Sequence, residues 1–180
     1  MTNNEDTAEV ELRADADVTR LSLIGCTKQK RDEPARAGDI YDESSYFRKR
    51  RRYSNLYCDD FVVISAKHHV LRPDTVIEPY DLSLSAPASD ENGMTTEEKR
   101  EWGTETKAQL KAMDWSDVDE VVVLMGQSYL RWVQDAFEDI PVMFVYPFAQ
   151  HSGIGEQLGW LTEQNEAAEK TDPKQQQLPF

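Results

Sequence analysis

The chain has 180 residues, enough to bury one hydrophobic core without help from disulfides or metals. Lys plus Arg number 20 against 34 Asp plus Glu, a formal net charge of −14, and 39% of the residues are hydrophobic, which excludes a wholly disordered chain. No apolar run nears the length of a membrane span, the first residues lack the basic and apolar regions of a secretory signal, and Cys26 and Cys58 make neither a disulfide framework nor a zinc array.

The expectation is therefore a single-domain cytoplasmic protein with no membrane partner, no metal and no cofactor. The acidity reads as adaptation to high salt or as ordinary cytoplasmic acidity; the first is favoured because acids crowd the loops as well as the helices.

Residues 1–17 hold six acids and one Arg with no period, the pattern of a disordered acidic tail. Residues 20–26 (RLSLIGC) form the first apolar run, and similar runs follow at 61–66, 120–125 and 142–146. They are nearly continuous rather than alternating, which suits parallel strands covered on both faces. Helical spacing fills the intervals. It covers 46–57, with Tyr46, Tyr53 and Tyr57 in phase, and 95–113, which opens with the capping box Thr95-x-x-Glu98. It continues over 129–137, with Tyr129, Trp132, Val133, Ala136 and Phe137 on one stripe, and over 154–166. This alternation predicts a single three-layer α/β domain over 18–164, with a mostly parallel sheet of four or slightly more strands flanked by helices. Residues 165–180 read as a flexible polar tail.

In such a sheet, ligands bind beyond the carboxyl ends of the strands. The unusual residues fall there: Cys26, Thr27, Lys28 and Lys30 after the first run, and Ser65, Lys67 and His68 after the second. Gln127 follows the third, and His151, Gly153, Gly155 and Gln157 follow the fourth. Four loops converging on one crevice is the expectation. Lys28, Lys30 and Lys67 are candidates for phosphate or developing negative charge, with Lys30 and Lys67 also placed in the catalytic set. Ser65 and Gln127 are candidates for base edges, and Glu78 or His68 for acid–base work. Tyr80 reads either as a stacking ring or as a core aromatic beside Pro79, and Cys26 either as a buried apolar residue or as a reactive thiol. Gly153-x-Gly155 at a helix start can present N–H groups to an anion.

The second exceptional stretch is Arg48, Lys49, Arg50, Arg51 and Arg52, flanked by Tyr46, Phe47, Tyr53 and Tyr57. Nine of the 20 basic residues lie between Lys28 and Arg52. Basic density with interleaved aromatics suits phosphate contact and base stacking, so DNA or RNA is the expected partner. The alternative is a solvated helix face paired with carboxylates such as Asp42 and Glu43.

Taken together, these blocks resemble a family of uncharacterised α/β domains related to the peroxide-stress YaaA family, over about residues 20–162. The resemblance rests on Ile64-Ser65-Ala66-Lys67-His68-His69-Val70-Leu71-Arg72-Pro73 followed by Ile77-Glu78-Pro79-Tyr80-Asp81-Leu82. It also rests on Cys26-Thr27-Lys28-x-Lys30, Tyr41…Phe47-Arg48, Gly126-Gln127-x-Tyr129 and Gly153-Ile154-Gly155-x-Gln157…Trp160-Leu161. It implies DNA binding and protection against oxidative damage. His69 stands where the family usually has Gly, a residue that permits a positive-φ turn. A fainter likeness to the catalytic block of archaeosine synthases rests on the Cys26-x3-Lys30 spacing, with Arg31-Asp32 where that block has Pro-Tyr. It implies base-modification chemistry. An enzyme acting on a nucleobase or nucleotide, by an N-glycosidic or base-modification step, is accordingly the alternative to a nucleic-acid binder. Gln175, Leu178 and Phe180 fit a Gln-x-x-Leu-x-Phe pattern similar to peptides that bind a sliding clamp.

Overall fold

The computed structural model describes residues 18–171. In chain order the elements are β1 (Arg20–Gly25), β2 (Ala35–Arg36), α1 (Ala37–Ile40), α2 (Ser45–Tyr57), β3 (Asp60–Ser65), β4 (His69–Leu71), β5 (Val76–Ile77), α3 (Thr96–Ala112), β6 (Glu120–Leu124), α4 (Gln127–Leu130), a 3-10 helix Gln134–Asp139, β7 (Met143–Val145), a 3-10 turn Pro147–Gln150 and α5 (Gly153–Thr171). Five strands make one sheet in the order β4-β3-β1-β6-β7, and β2 and β5 form a small antiparallel pair. β1 runs parallel to both β3 and β6, with Leu21 opposite Asp60 and Arg20 opposite Glu120, and β6 runs parallel to β7. Only β4 is antiparallel. The expected α/β architecture and its mostly parallel sheet are thus present, with one antiparallel edge strand added.

All six residues of β1 are buried, as a strand covered on both faces requires. Leu23, Ile24, Val62, Val63, Ile64 and Val121 to Leu124 form the centre of the core. α2 and α5 pack against each other, while α3 packs on β4. The capping box is formed: Thr95 Oγ1 accepts from the Glu98 N–H (3.1 Å) and the Glu98 carboxylate accepts from the Thr95 N–H (2.8 Å). Gly103 on α3 is a close approach, since a Cβ there would lie 2.7 Å from the Trp132 carbonyl oxygen.

Two expectations about elements are corrected. The stripe over 129–137 is not one helix. A single α-turn at α4 gives way at Val133 (φ −127°) to the 3-10 helix. Tyr129, Leu130, Val133, Ala136 and Phe137 are all buried, so the stripe does face the core. Three-residue bonds such as Val133 N–H to Leu130 O (3.0 Å) and Ala136 N–H to Val133 O (3.0 Å) serve that stripe as well as an α-helix would. Aromatic and β-branched residues there give little propensity to hold the longer helix.

The second correction is at the C-terminal end, where α5 runs to Thr171, past the expected boundary at 164. Asn165 and Ala168 are buried, and the Asn165 side-chain amide donates to the Lys49 carbonyl (3.1 Å), so packing on α2 prolongs the helix. The acidic tail 1–17 and the clamp-like peptide at Gln175, Leu178 and Phe180 lie outside the described residues. Among the described residues no helix is long and apolar enough to cross a membrane.

β3 turns into β4 through His69 at φ +63°, a left-handed conformation that glycine adopts most readily. A non-glycine residue there costs roughly 1–2 kcal/mol. The ring offsets part of this: Nδ1 hydrogen-bonds Thr106 Oγ1 (2.9 Å) and the imidazole stacks on Trp102 (6.2 Å, 22°).

Candidate ligand cleft at the strand ends

Connections from β1 lead to β3 on one side, and from β6 to β7 on the other, so the order of the sheet reverses between β1 and β6. A crevice is expected at the carboxyl ends of those two strands. A cleft of about 1360 Å³ lies there. Cys26, Thr27 and Lys28 line it from the end of β1, Gly126 and Gln127 from the end of β6, and His151, Gly153 and Gln157 from the segment after β7. Three of the four expected loops therefore converge.

The fourth loop does not line the cleft. Ser65, Lys67, His68 and Tyr80 form a neighbouring cluster with Lys30 and Tyr41, joined to the cleft through Cys26. The Ala66 N–H donates to Cys26 Sγ, and the Cys26 thiol donates to the Tyr129 hydroxyl, both at 3.4 Å. Ser65 is buried at the end of β3, where its carbonyl accepts from the Trp102 indole (3.0 Å). Its Oγ accepts from the N–H groups of Lys67 (3.2 Å) and His68 (3.0 Å). With both acceptor positions filled, the Ser65 hydroxyl proton goes to Tyr80 Oη (2.7 Å), and the Tyr80 proton goes on to Tyr41 Oη (2.7 Å). Burial raises the pKa of both phenols well above the ordinary tyrosine value, so the chain is neutral.

Lys30 Nζ sits 4.2 Å over the Tyr80 ring and donates to the Lys28 carbonyl (3.1 Å). Burial lowers its pKa, opposed by Cys26 and Asp81. The carboxylate that reaches Lys30 is thus Asp81, whereas Glu78 is exposed and joins neither the cleft nor the cluster. Glu78, placed in the catalytic set from the sequence, directly follows β5 and is exposed. His68 packs edge-on against Tyr80 (5.5 Å), its Nε2 has no partner, and burial followed by Lys67 and His69 lowers its pKa. Lys67 is exposed, its ammonium 6.0 Å from the Tyr80 ring.

Gly153 has φ +79° and lines the cleft, but Gly155 is exposed outside it. The start of α5 is already occupied by a carboxylate: Glu156 accepts from the Ser152 N–H (2.8 Å) and hydroxyl (3.3 Å). Gln157 is buried and bridges two elements, accepting from the Tyr46 hydroxyl and donating to the His151 carbonyl (3.4 Å). Its role is to fix the wall of the cleft.

The basic stretch differs most from expectation. Arg50 is only 1% exposed and lines the cleft. Its Nη1 donates to the Leu124 carbonyl at the end of β6 (2.9 Å), its Nε to the Tyr46 carbonyl (3.3 Å), and its plane stacks 3.8 Å from the Tyr46 ring. Arg50 therefore belongs to the interior and not to an exposed nucleic-acid face, because its position on α2 falls in phase with buried Phe47, Ser54 and Tyr57. The other four have internal partners too. Arg48 donates to the Asp42 carbonyl (2.6 Å) and Lys49 to the Thr162 hydroxyl. Arg51 donates to the Gly38 carbonyl (2.7 Å), and Arg52 pairs with Glu169 (2.8 Å).

Sequence reasoning gave Arg50 to a nucleic-acid face with Tyr46 as its aromatic flank, and gave Tyr41 no place in a site. The helical phase of residues 47, 50, 54 and 57 was the signal available for Arg50. Residues 21–163 match the sequence model of a family of unknown function, DUF6884. The chain is also similar to "Uncharacterized protein YfjM" of Bacillus subtilis (strain 168), at 32% identity over 146 residues covering 77% of this chain and 90% of that one. No solved structure matches. The extent of these matches, over the whole strand-end region just described, places the chain in the DUF6884 family.

Proposed function

We propose that the chain takes a nucleobase or nucleotide into the strand-end cleft and acts on it, by N-glycosidic or base-modification chemistry. The observation that supports this is the cleft at the point where the strand order reverses, walled by amide, hydroxyl and aromatic side chains from three strand-end loops. Gln127 at the mouth has a free choice of donor and acceptor for a base edge. Lys30 and His68, both with proton affinity reduced by burial, belong to the cluster that adjoins Cys26 and could exchange protons with a ligand. The test is incubation with a panel of bases, nucleosides and nucleotides, followed by separation and mass analysis, with wild type and Lys30→Ala compared. Conversion of one class, lost in the variant, is the expected result. A panel in which nothing binds or changes removes the reading.

A second reading follows from the resemblance to the YaaA family: binding of DNA or RNA through α2. The observation favouring it is a shallow concavity of about 420 Å³ lined by Arg48, Lys49, Arg51, Arg52, Asn55 and Asn165. Gel-shift titration of single- and double-stranded DNA and RNA in high-potassium buffer separates the two. Binding that disappears when Arg48, Lys49 and Arg52 become Ser supports the helix, and no binding by wild type rejects it.

A further inference from the structure

Arg50 carries a charge in an unusual state. It is buried, and among the described residues no Asp or Glu forms an ion pair with it. Two of its three nitrogens are held by the carbonyls of Leu124 and Tyr46, which fixes the guanidinium plane at the end of β6. The third, Nη2, is buried and has no acceptor among the described residues. A guanidinium without a counter-charge in a dry interior costs several kcal/mol, and a chain with 34 carboxylates has every means to supply one. Yet the groups that act electrostatically on Arg50 are Tyr46, Cys26 and Tyr129, none of them a carboxylate. The lining of the cleft is equally selective. Its one carboxylate among the described residues is Asp90, which is exposed at the rim, and Lys28 also lies there. Gly25, the last residue of β1, adds no side chain beside the guanidinium: a Cβ there would lie 3.4 Å from Arg50 Nη1.

We infer that Arg50 is an oxyanion receptor at the floor of the cleft, and that the ligand carries a phosphate or carboxylate whose oxygen accepts from Nη2 once the side chains that cover this nitrogen move aside. This rests on the reading of the cleft as a ligand site and narrows its occupant to an anion, a nucleotide rather than a free base or nucleoside. The two carbonyl bonds and the stacked Tyr46 ring hold the guanidinium in one orientation before the ligand arrives, so little side-chain entropy remains to be lost on binding. The ligand supplies the missing acceptor and the missing charge together, in a charge-assisted bond.

The test is calorimetric titration of the full chain, freed of phosphate and sulfate. The probes are the common ribonucleoside 5′-monophosphates, their nucleosides, inorganic phosphate and acetate. All are repeated on Arg50→Met. The expected result is that one monophosphate binds about tenfold or more tighter than its nucleoside, and that the difference closes in the variant. Inorganic phosphate or acetate binding alone, lost in the variant, supports the receptor while removing the nucleotide reading, and the better of the two identifies the oxyanion. Nucleosides that bind as tightly as monophosphates overturn the receptor and leave the cleft reading intact. A monophosphate preference that survives in the variant overturns it too, and assigns the preference to Lys28. Wild type that binds none of the probes overturns both. If Arg50→Met does not fold, the Nε–Hε NMR signal of Arg50 in wild type decides: it moves on titration with phosphate if the guanidinium is the receptor and stays in place if it is not.

Discussion

The two ends of the sheet each hold a buried arginine, and they treat it in opposite ways. At the amino end, Arg20 is 6% exposed and its Nε lies 2.8 Å from the Glu120 carboxylate on the neighbouring strand. Its backbone N–H donates to Asp59 and that of Thr19 donates to Asp119, both at 2.8 Å. At the carboxyl end, Arg50 has carbonyl partners and no carboxylate among the described residues, and His68 Nε2 has no partner at all. The same residue type is a strut where its charge is matched and a receptor where it is left open. The difference teaches that the density of charge along the sequence does not distinguish the arginine matched by a carboxylate from the one held by carbonyls alone.

The largest effect expected from breaking this comparison is at the matched end. Glu120→Ala leaves Arg20 without its carboxylate and costs about 3 kcal/mol in urea unfolding. Arg50→Met in anion-free buffer changes stability by less than about 1 kcal/mol, because it removes an unmatched charge and keeps a side chain of similar length. Equal losses in the two variants would make Arg50 another strut.

Next in size is Tyr80→Phe. It interrupts the hydroxyl chain in the middle and leaves Ser65 and Tyr41 without their shared partner, which costs about 2 kcal/mol by the same measurement. A neutral outcome would mean that the chain is slack.

His69 offers a finer test. Both His69→Ala and His69→Gly lose the Thr106 bond and the Trp102 contact, but only Gly relaxes φ +63°. The glycine variant should therefore be the more stable of the two by about 1 kcal/mol, and the reverse order would place the strain elsewhere.

The smallest effect is on pH dependence. The His68 pKa is lower in the fold than in the unfolded chain, so the unfolded chain binds the extra proton as pH falls below about 6.5. The contribution of His68 is fully present above that pH and is lost as pH drops through the folded value. His68→Gln should flatten the acid limb of a plot of Tm against pH, and an unchanged slope would assign that limb to other groups.

Much of the fold was legible because β1, β3 and β6 are largely runs of Val, Ile and Leu, a pattern that suits strands shielded on both faces; β7, also apolar in sequence, lies at the sheet edge with Met143 exposed. β4 was not, since three residues beginning with a histidine carry no periodic signal. The strand-end positions of Cys26, Lys28, Gln127 and Gln157 were legible for the same reason the strands were. The hydroxyl chain was not: Tyr41, Ser65 and Tyr80 come from three separate connections and meet only in three dimensions. Arg50 was misplaced because five basic residues in a row read as one patch, whereas a helix deals consecutive residues to different sides. A step of 100° per residue puts Arg50 against the carboxyl ends of the central strands β1 and β6 and leaves the other four nearer the surface.

The register of β1 bears on how the chain reaches this structure. Its partner on one side begins at Asp60, but on the other Arg20 waits for Glu120, a hundred residues later. During synthesis this fully buried strand is therefore complete long before its second edge is covered. Pairing across such a separation is slow, and an open apolar edge invites the same segment of a neighbouring nascent chain. Over residues 1–119 acids already outnumber basic residues by 25 to 17, so mutual repulsion opposes such encounters during that interval.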